Sequence, residues 1–329
     1  MKNAVKIEAM TINQTGINID PRPFSIIYQN AKMVAIESFA DVAVLRPSLQ
    51  IAQQEMDEMH INWLFVVVVL FSTSCTDQRE QNPVEDTAQF ERVSANLVAH
   101  GERVADVLGC TGCHGSNLTG EDWSEPGFVN LWTANLTRSV ARYTDAELAK
   151  IIRSGARADR ELWEMPSQIF AQLSKEDMSA VIAFLRSKTA EGPVHDEPVF
   201  EEAARLELAS GAYTSSRAEV AKKGAIWPPD AGKAHALGRY IVRATCAECH
   251  GLNLRGGQPY PEATMRPDLR IVAAYDIDQF RHLLRDGKAI GERDVSLMSE
   301  VALGRYKHFS DAEIAAVHGY LRRVAQLEP

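Results

Sequence analysis

The chain has 329 residues, 45% of them apolar and 24% charged, which is long enough for two globular cores and too apolar for a disordered chain. Its formal net charge of −9 gives an acidic surface that neither nucleic acid nor an anionic membrane face attracts, so no nucleic-acid partner is expected.

The first distinctive segment is residues 61–71, Ile-Asn-Trp-Leu-Phe-Val-Val-Val-Val-Leu-Phe. It is short of the roughly 20 residues that span a bilayer and fits the apolar core of an export signal. Ser72, Thr73 and Ser74 follow, then Cys75 and a polar stretch from Thr76 to Glu85. That order resembles a bacterial lipoprotein signal in which Cys75 bears the lipid anchor. It departs from that pattern at Ser72, where a large aliphatic residue is usual, and in having no Lys or Arg close ahead of the run. A simple cleaved or uncleaved anchor and a buried structural Cys75 are the alternatives. Residues 1–75 are therefore read as an N-terminal extension with a signal or anchor segment. The expected location is the bacterial periplasm, tethered to a membrane. A signal core normally begins near the N-terminus, so a translation start at Met59 would account for the residues ahead of it.

Further on, Phe90, Val93, Leu97, Val98, Val104 and Leu108 recur at helical spacing and predict a helix leading into Cys110-Thr-Gly-Cys113-His114. A second helix opens with Thr144 and Glu147 as a capping box and stops at Gly155. A third opens at Ser174 with Asp177 three residues on, and carries Met178, Val181, Ile182 and Leu185 on one face. Residues 190–232 hold Pro193, Pro198, Pro228 and Pro229 and a helical patch from Glu201 to Ala209, and read as a packed linker. Then the pattern returns. Leu237, Tyr240, Ile241 and Ala244 lead into Cys246-Ala-Glu-Cys249-His250; Asp276 and Gln279 open a helix that stops at Gly287; Ser310 and Glu313 open the last one.

The two halves are an internal duplication. Cys110 maps to Cys246 at an offset of 136, Tyr143 to Tyr275 at 132, and Ser174 to Ser310 at 136 again. No convincing alternating run predicts a sheet. The expected fold is all-α: tandem domains at 88–189 and 233–329 joined by the Pro-containing linker.

In Cys-x-x-Cys-His, each cysteine can form a thioether to a haem vinyl group while the adjacent histidine ligates iron from beneath the ring. A redox disulfide would sit near a βαβ pattern, which is missing. Zinc is the sharper competitor, but a second ligand pair for each site is lacking. The cofactor expected is thus two haem c groups, held by Cys110 and Cys113 and by Cys246 and Cys249, with His114 and His250 on iron.

Through these motifs and the repeat, residues 95–325 resemble the c-type cytochrome family, most closely its two-haem members that carry electrons beside periplasmic dehydrogenases. In that family a methionine on a loop between the middle and final helices is the sixth iron ligand. The resemblance assigns that role to Met165, 51 residues after His114, and to Met298, 48 residues after His250. Met178 lies on an apolar helical stripe and reads as core, and Met265 precedes the middle helix. His100, His282 and His318 are not reproduced by the repeat and read as surface or packing residues. Arg153 and Arg285 do recur, as propionate partners or as solvated helix-end charges. The function implied is electron transfer between a dehydrogenase donor and a cytochrome or oxidase acceptor, with no catalytic residues. The alternative is a di-haem redox enzyme of peroxidase or thiosulfate-oxidising type, which needs an iron with an open sixth position.

Overall fold

A computed structural model of the chain describes residues 88–259 and 263–327. The apolar run 61–71 and Cys75 lie outside the described residues. Asn96 accepts hydrogen bonds from the Val98 and Ala99 N–H groups and so starts helix α1, Leu97–Leu108. Phe90 and Val93, which the periodicity counts into this helix, therefore fall in an irregular segment ahead of it. Phe90 is nonetheless fully buried, because its N–H donates to Asp177 (3.1 Å), whereas Val93 is exposed. Gly109, at φ 84°, ends α1 in the left-handed conformation, and the short helix α2, Cys110–Cys113, follows at once.

The first repeat continues through α3 (Leu136–Ser139), α4 (Asp145–Ser154), α5 (Ser167–Phe170) and α6 (Lys175–Arg186). The Thr144–Glu147 capping box forms as expected, and Gly155 closes α4 at φ 67°. The linker contributes α7 (Glu202–Ser210) and α8 (Ser216–Lys223) and packs on the first repeat. Its strand β2, Val199–Phe200, pairs antiparallel with β1, Val129–Asn130. Phe200 and Tyr213 from the linker close on Trp163 and Phe128, with ring centroids 4.7 Å apart for Trp163–Phe200 and 5.4 Å for Phe128–Tyr213. The linker is thus a wall of the first domain.

The second repeat runs α9 (Ala236–Ala244), α10 (Ala247–His250), α11 (Ile277–Asp286), α12 (Leu297–Gly304) and α13 (Asp311–Val324), with a small β3–β4 hairpin (Lys288–Ala289, Arg293–Asp294) after α11. The fold is mainly helical, as the sequence predicts.

In each repeat the first and last long helices cross, α1 over α6 and α9 over α13. The crossing is tightest at a glycine. A Cβ on Gly101 would lie 1.8 Å from the Ala180 carbonyl oxygen, and one on Gly238 would lie 2.2 Å from that of Ala316. Only a residue without a side chain lets the backbones approach so closely.

The repeats pack on each other reciprocally. Arg103 of α1 forms a bidentate pair with Glu313 at the start of α13 (2.8 and 3.0 Å). Tyr240 of α9 donates its hydroxyl proton to Asp177 at the start of α6. Arg103 and Tyr240 each lie two residues after the close-approach glycine of their helix, Gly101 or Gly238, and Asp177 and Glu313 are 136 positions apart, so the contact i to j is matched by i′ to j′. That is the logic of a two-fold interface, here within one chain. Arg243, also buried, fastens the end of α9 to the Ile169 and Gln168 carbonyls of α5 and to Gly224 and Ile226 of the linker.

Candidate haem sites

Each Cys-x-x-Cys-His sequence forms one helical turn. The His114 N–H donates to the Cys110 carbonyl (2.9 Å) and the His250 N–H to that of Cys246 (3.0 Å). Positions i, i+3 and i+4 are neighbours on a helix, so the turn gathers both sulfurs and the imidazole on one face. The loops that follow are also duplicated. Leu118 and Leu254 are both buried and both in the left-handed region, at φ 62° and 60°. The Gly120 N–H returns to the His114 carbonyl (2.8 Å) and the Gly256 N–H to that of His250 (2.9 Å).

The histidine rings are oriented from behind. His114 Nδ1 lies 2.8 Å from the Ala134 carbonyl oxygen and His250 Nδ1 lies 2.9 Å from that of Pro267. A carbonyl only accepts, so each Nδ1 carries the proton, and Nε2 of the neutral ring keeps its lone pair for iron. Burial lowers both imidazole pKa values and keeps the rings neutral. Burial also pushes the Cys110 and Cys113 thiols up to about 12 and raises Cys246. A redox-active Cys-x-x-Cys has a lowered thiol pKa instead. Among the described residues, no three His, Cys, Asp or Glu side chains converge to hold a bare metal ion. Sulfurs to anchor a porphyrin and one oriented imidazole per motif are a donor set that fits haem c.

The Cytochrome c family model matches residues 98–189 and again residues 235–325, more than half of the chain. The chain belongs to the cytochrome c family. It is accordingly a haem c protein of electron transport. The fructose dehydrogenase cytochrome subunit of Gluconobacter japonicus is 26% identical over 286 residues, which cover 76% of this chain and 56% of that protein. This cytochrome c thus spans little more than half the length of that relative.

Met165 and Met298 both sit half-buried against the main core. Met165 lies in a loop just ahead of α5, between Glu164 (φ 61°) and Pro166. Met298 lies not on a loop, as the resemblance implies, but as the second residue of α12, behind Ser296 at φ 51°. A positive φ at a non-glycine residue ahead of each methionine marks strained backbone held by its surroundings. Met178 is in the core at 2% exposure, whereas Met265 is 61% exposed. His318 is buried with Nε2 on the Tyr275 carbonyl, His282 lies on the surface between Asp286 and Glu292, and His100 is buried on α1. Arg153 donates to the Leu173 and Ser174 carbonyls and Arg285 to those of Lys307 and Phe309. These arginines brace the turn before each last helix, a role neither of the sequence readings supplies.

Asp268 caps the 3₁₀ turn Leu269–Ala274 that follows the Pro267 carbonyl. Hydrogen bonds and charge from Arg270 and Arg255 hold its pKa at about 2, below the ordinary 3.8. A carboxylate depressed on folding adds stability that is complete above its unfolded pKa and is lost as pH falls through the folded one. Thermal melts should therefore show the native protein losing stability between pH 4 and 2 by more than Asp268→Asn does.

Proposed function

We propose that the chain carries two haem c groups, each six-coordinate with His114 and Met165 or His250 and Met298 on iron, and relays electrons one at a time from a dehydrogenase to a downstream acceptor. The observation that carries this reading is the duplicated imidazole bond, Nδ1 to Ala134 and Nδ1 to Pro267, which leaves a ligating nitrogen beside each pair of cysteines. Haem iron held by these residues would supply a reversible ferric/ferrous couple. The protein's part is to fix the ligands beforehand, keep water away and tune the potential through ligand type and surroundings. A thioether ligand favours the ferrous state and raises potential, which suits a carrier. A methionine held there would also fill the position that a peroxidase-type enzyme needs open. The relative's name supports a dehydrogenase as donor. The run 61–71 and Cys75 support a periplasmic protein tethered through a signal or lipid anchor.

Haem content and spectra test the reading. The native protein should bind two haems per chain and show the far-red band of methionine bound to ferric iron. Met165→Ala and Met298→Ala should each remove about half of that band and lower one midpoint potential. A high-spin or bis-histidine haem in the native protein would overturn the axial assignment.

A further inference from the structure

Arg305 lies in neither motif, yet it joins them. It leaves the end of α12, and its side chain is 15% exposed. It donates to the Val107 and Leu108 carbonyls (3.2 and 3.0 Å), the last two residues of α1 before the first motif. Its remaining terminal nitrogen pairs at 2.7 Å with Glu248, which stands between Cys246 and Cys249 in the second motif. The guanidinium is pressed onto Gly109, next to Cys110: a Cβ there would lie 2.7 Å from Arg305 Cζ. It is in electrostatic reach of Cys110, Cys113, Cys246 and Cys249, and Glu248 reaches both cysteines of the first motif. The duplication does not repeat this pair. The positions equivalent to Glu248 and Arg305 are Gly112 and Ile169, so both charges come from the second repeat and serve the two motifs together.

We propose that Arg305 and Glu248 form one mostly buried charge pair shared by both haem attachment turns, and that this pair sets the potentials of both irons. The inference rests on the two-haem reading above. Oxidation removes one electron and adds one positive charge at an iron, with no proton or bond exchanged. A nearby cation therefore disfavours the ferric form, and a nearby anion favours it. In water the two charges would be screened, whereas in a largely buried site each acts over a longer distance. Paired, they nearly cancel; singly, each is felt by both irons.

The test is spectroelectrochemical titration of the haem-loaded full chain as native protein, Arg305→Gln, Glu248→Gln and the double variant. Arg305→Gln should lower both midpoints and Glu248→Gln should raise both. Each shift should correspond to a change of about tenfold in the ferric-to-ferrous ratio at fixed potential, about 59 mV for one electron. The double variant should return both midpoints most of the way. Loss of packing alone does not produce opposite signs from the two halves of one contact. Should Arg305→Gln fail to hold both haems, the isosteric Glu248→Gln still decides. Shifts of the same sign, a shift confined to one midpoint, or no shift in Glu248→Gln would overturn the proposal. Failure of the parent reading looks different, since the native protein would then show fewer than two haems before any variant is made.

Discussion

Gly101→Ala and Gly238→Ala should each destabilise the protein by about 3 kcal/mol or more, the upper range for forcing an added group into a packed site. Both glycines lie inside helices, where alanine is the better helix former by about 1 kcal/mol. Local propensity therefore predicts stabilisation, and packing predicts the reverse. Magnitude decides. The added methyl carbon would stand 1.8 Å from the Ala180 oxygen or 2.2 Å from the Ala316 oxygen, and in the second crossing 2.5 Å from Tyr320 Cβ as well. Those neighbours are the backbone of α6 and α13, so relief requires the helices to move apart. The same helix supplies a control. At Gly319, inside α13, the nearest atom to an added Cβ is His235 Nδ1 at 3.9 Å, so Gly319→Ala should stabilise by a few tenths to about 1 kcal/mol. Urea unfolding followed by far-ultraviolet circular dichroism compares the three. Equal effects would mean that the close crossings do not restrict the glycines.

The parts of this protein that were legible in the sequence are those encoded within a few residues. Cys-x-x-Cys-His is one turn of helix, so its spacing states its geometry. The capping boxes at Thr144, Asp276 and Ser310 are likewise local, and all three form. Met178 reads as core from its helical stripe and is buried.

Ser174 with Asp177 has nearly the same local signature, but its box opens. Ser174 still accepts from the Asp177 N–H, yet the Ser174 N–H donates to Tyr240 while the Asp177 carboxylate turns to Phe90 and Tyr240. The difference comes from a residue 63 positions away, and no window of sequence around Ser174 contains it. The same holds for Arg305, whose partners lie 57 to 198 positions away. Nothing local separates it from any surface arginine. Gly101 and Gly238 had a usable signal, because they occupy nearly equivalent places ahead of the two motifs. A glycine kept at one place inside two predicted helices implies close backbone approach.

The reciprocal contacts between the repeats carry the other large effect, and they divide unequally between their two halves. Glu313 is fully buried and receives Arg103 through both guanidinium nitrogens, the Glu91 N–H at 2.8 Å and the Ser310 N–H at 2.9 Å. Glu313→Ala leaves the Arg103 charge, 12% exposed, without its carboxylate, and breaking a buried pair this way costs about 3–5 kcal/mol. Adding Arg103→Met removes the stranded charge and should recover more than about 1 kcal/mol of the loss. Recovery should be partial, because the Glu91 and Ser310 N–H groups stay unserved. At the equivalent place, burial raises the pKa of Asp177, and its partner Tyr240 is a neutral donor. Converting Asp177 to Asn therefore removes a charge that burial already disfavours. Its cost should be about 1 kcal/mol, that of one ordinary hydrogen bond. Thermal or urea unfolding of the three variants reads the difference directly. A larger loss in Asp177→Asn than in Glu313→Ala would place the main link between the repeats on the tyrosine side rather than on the ion pair.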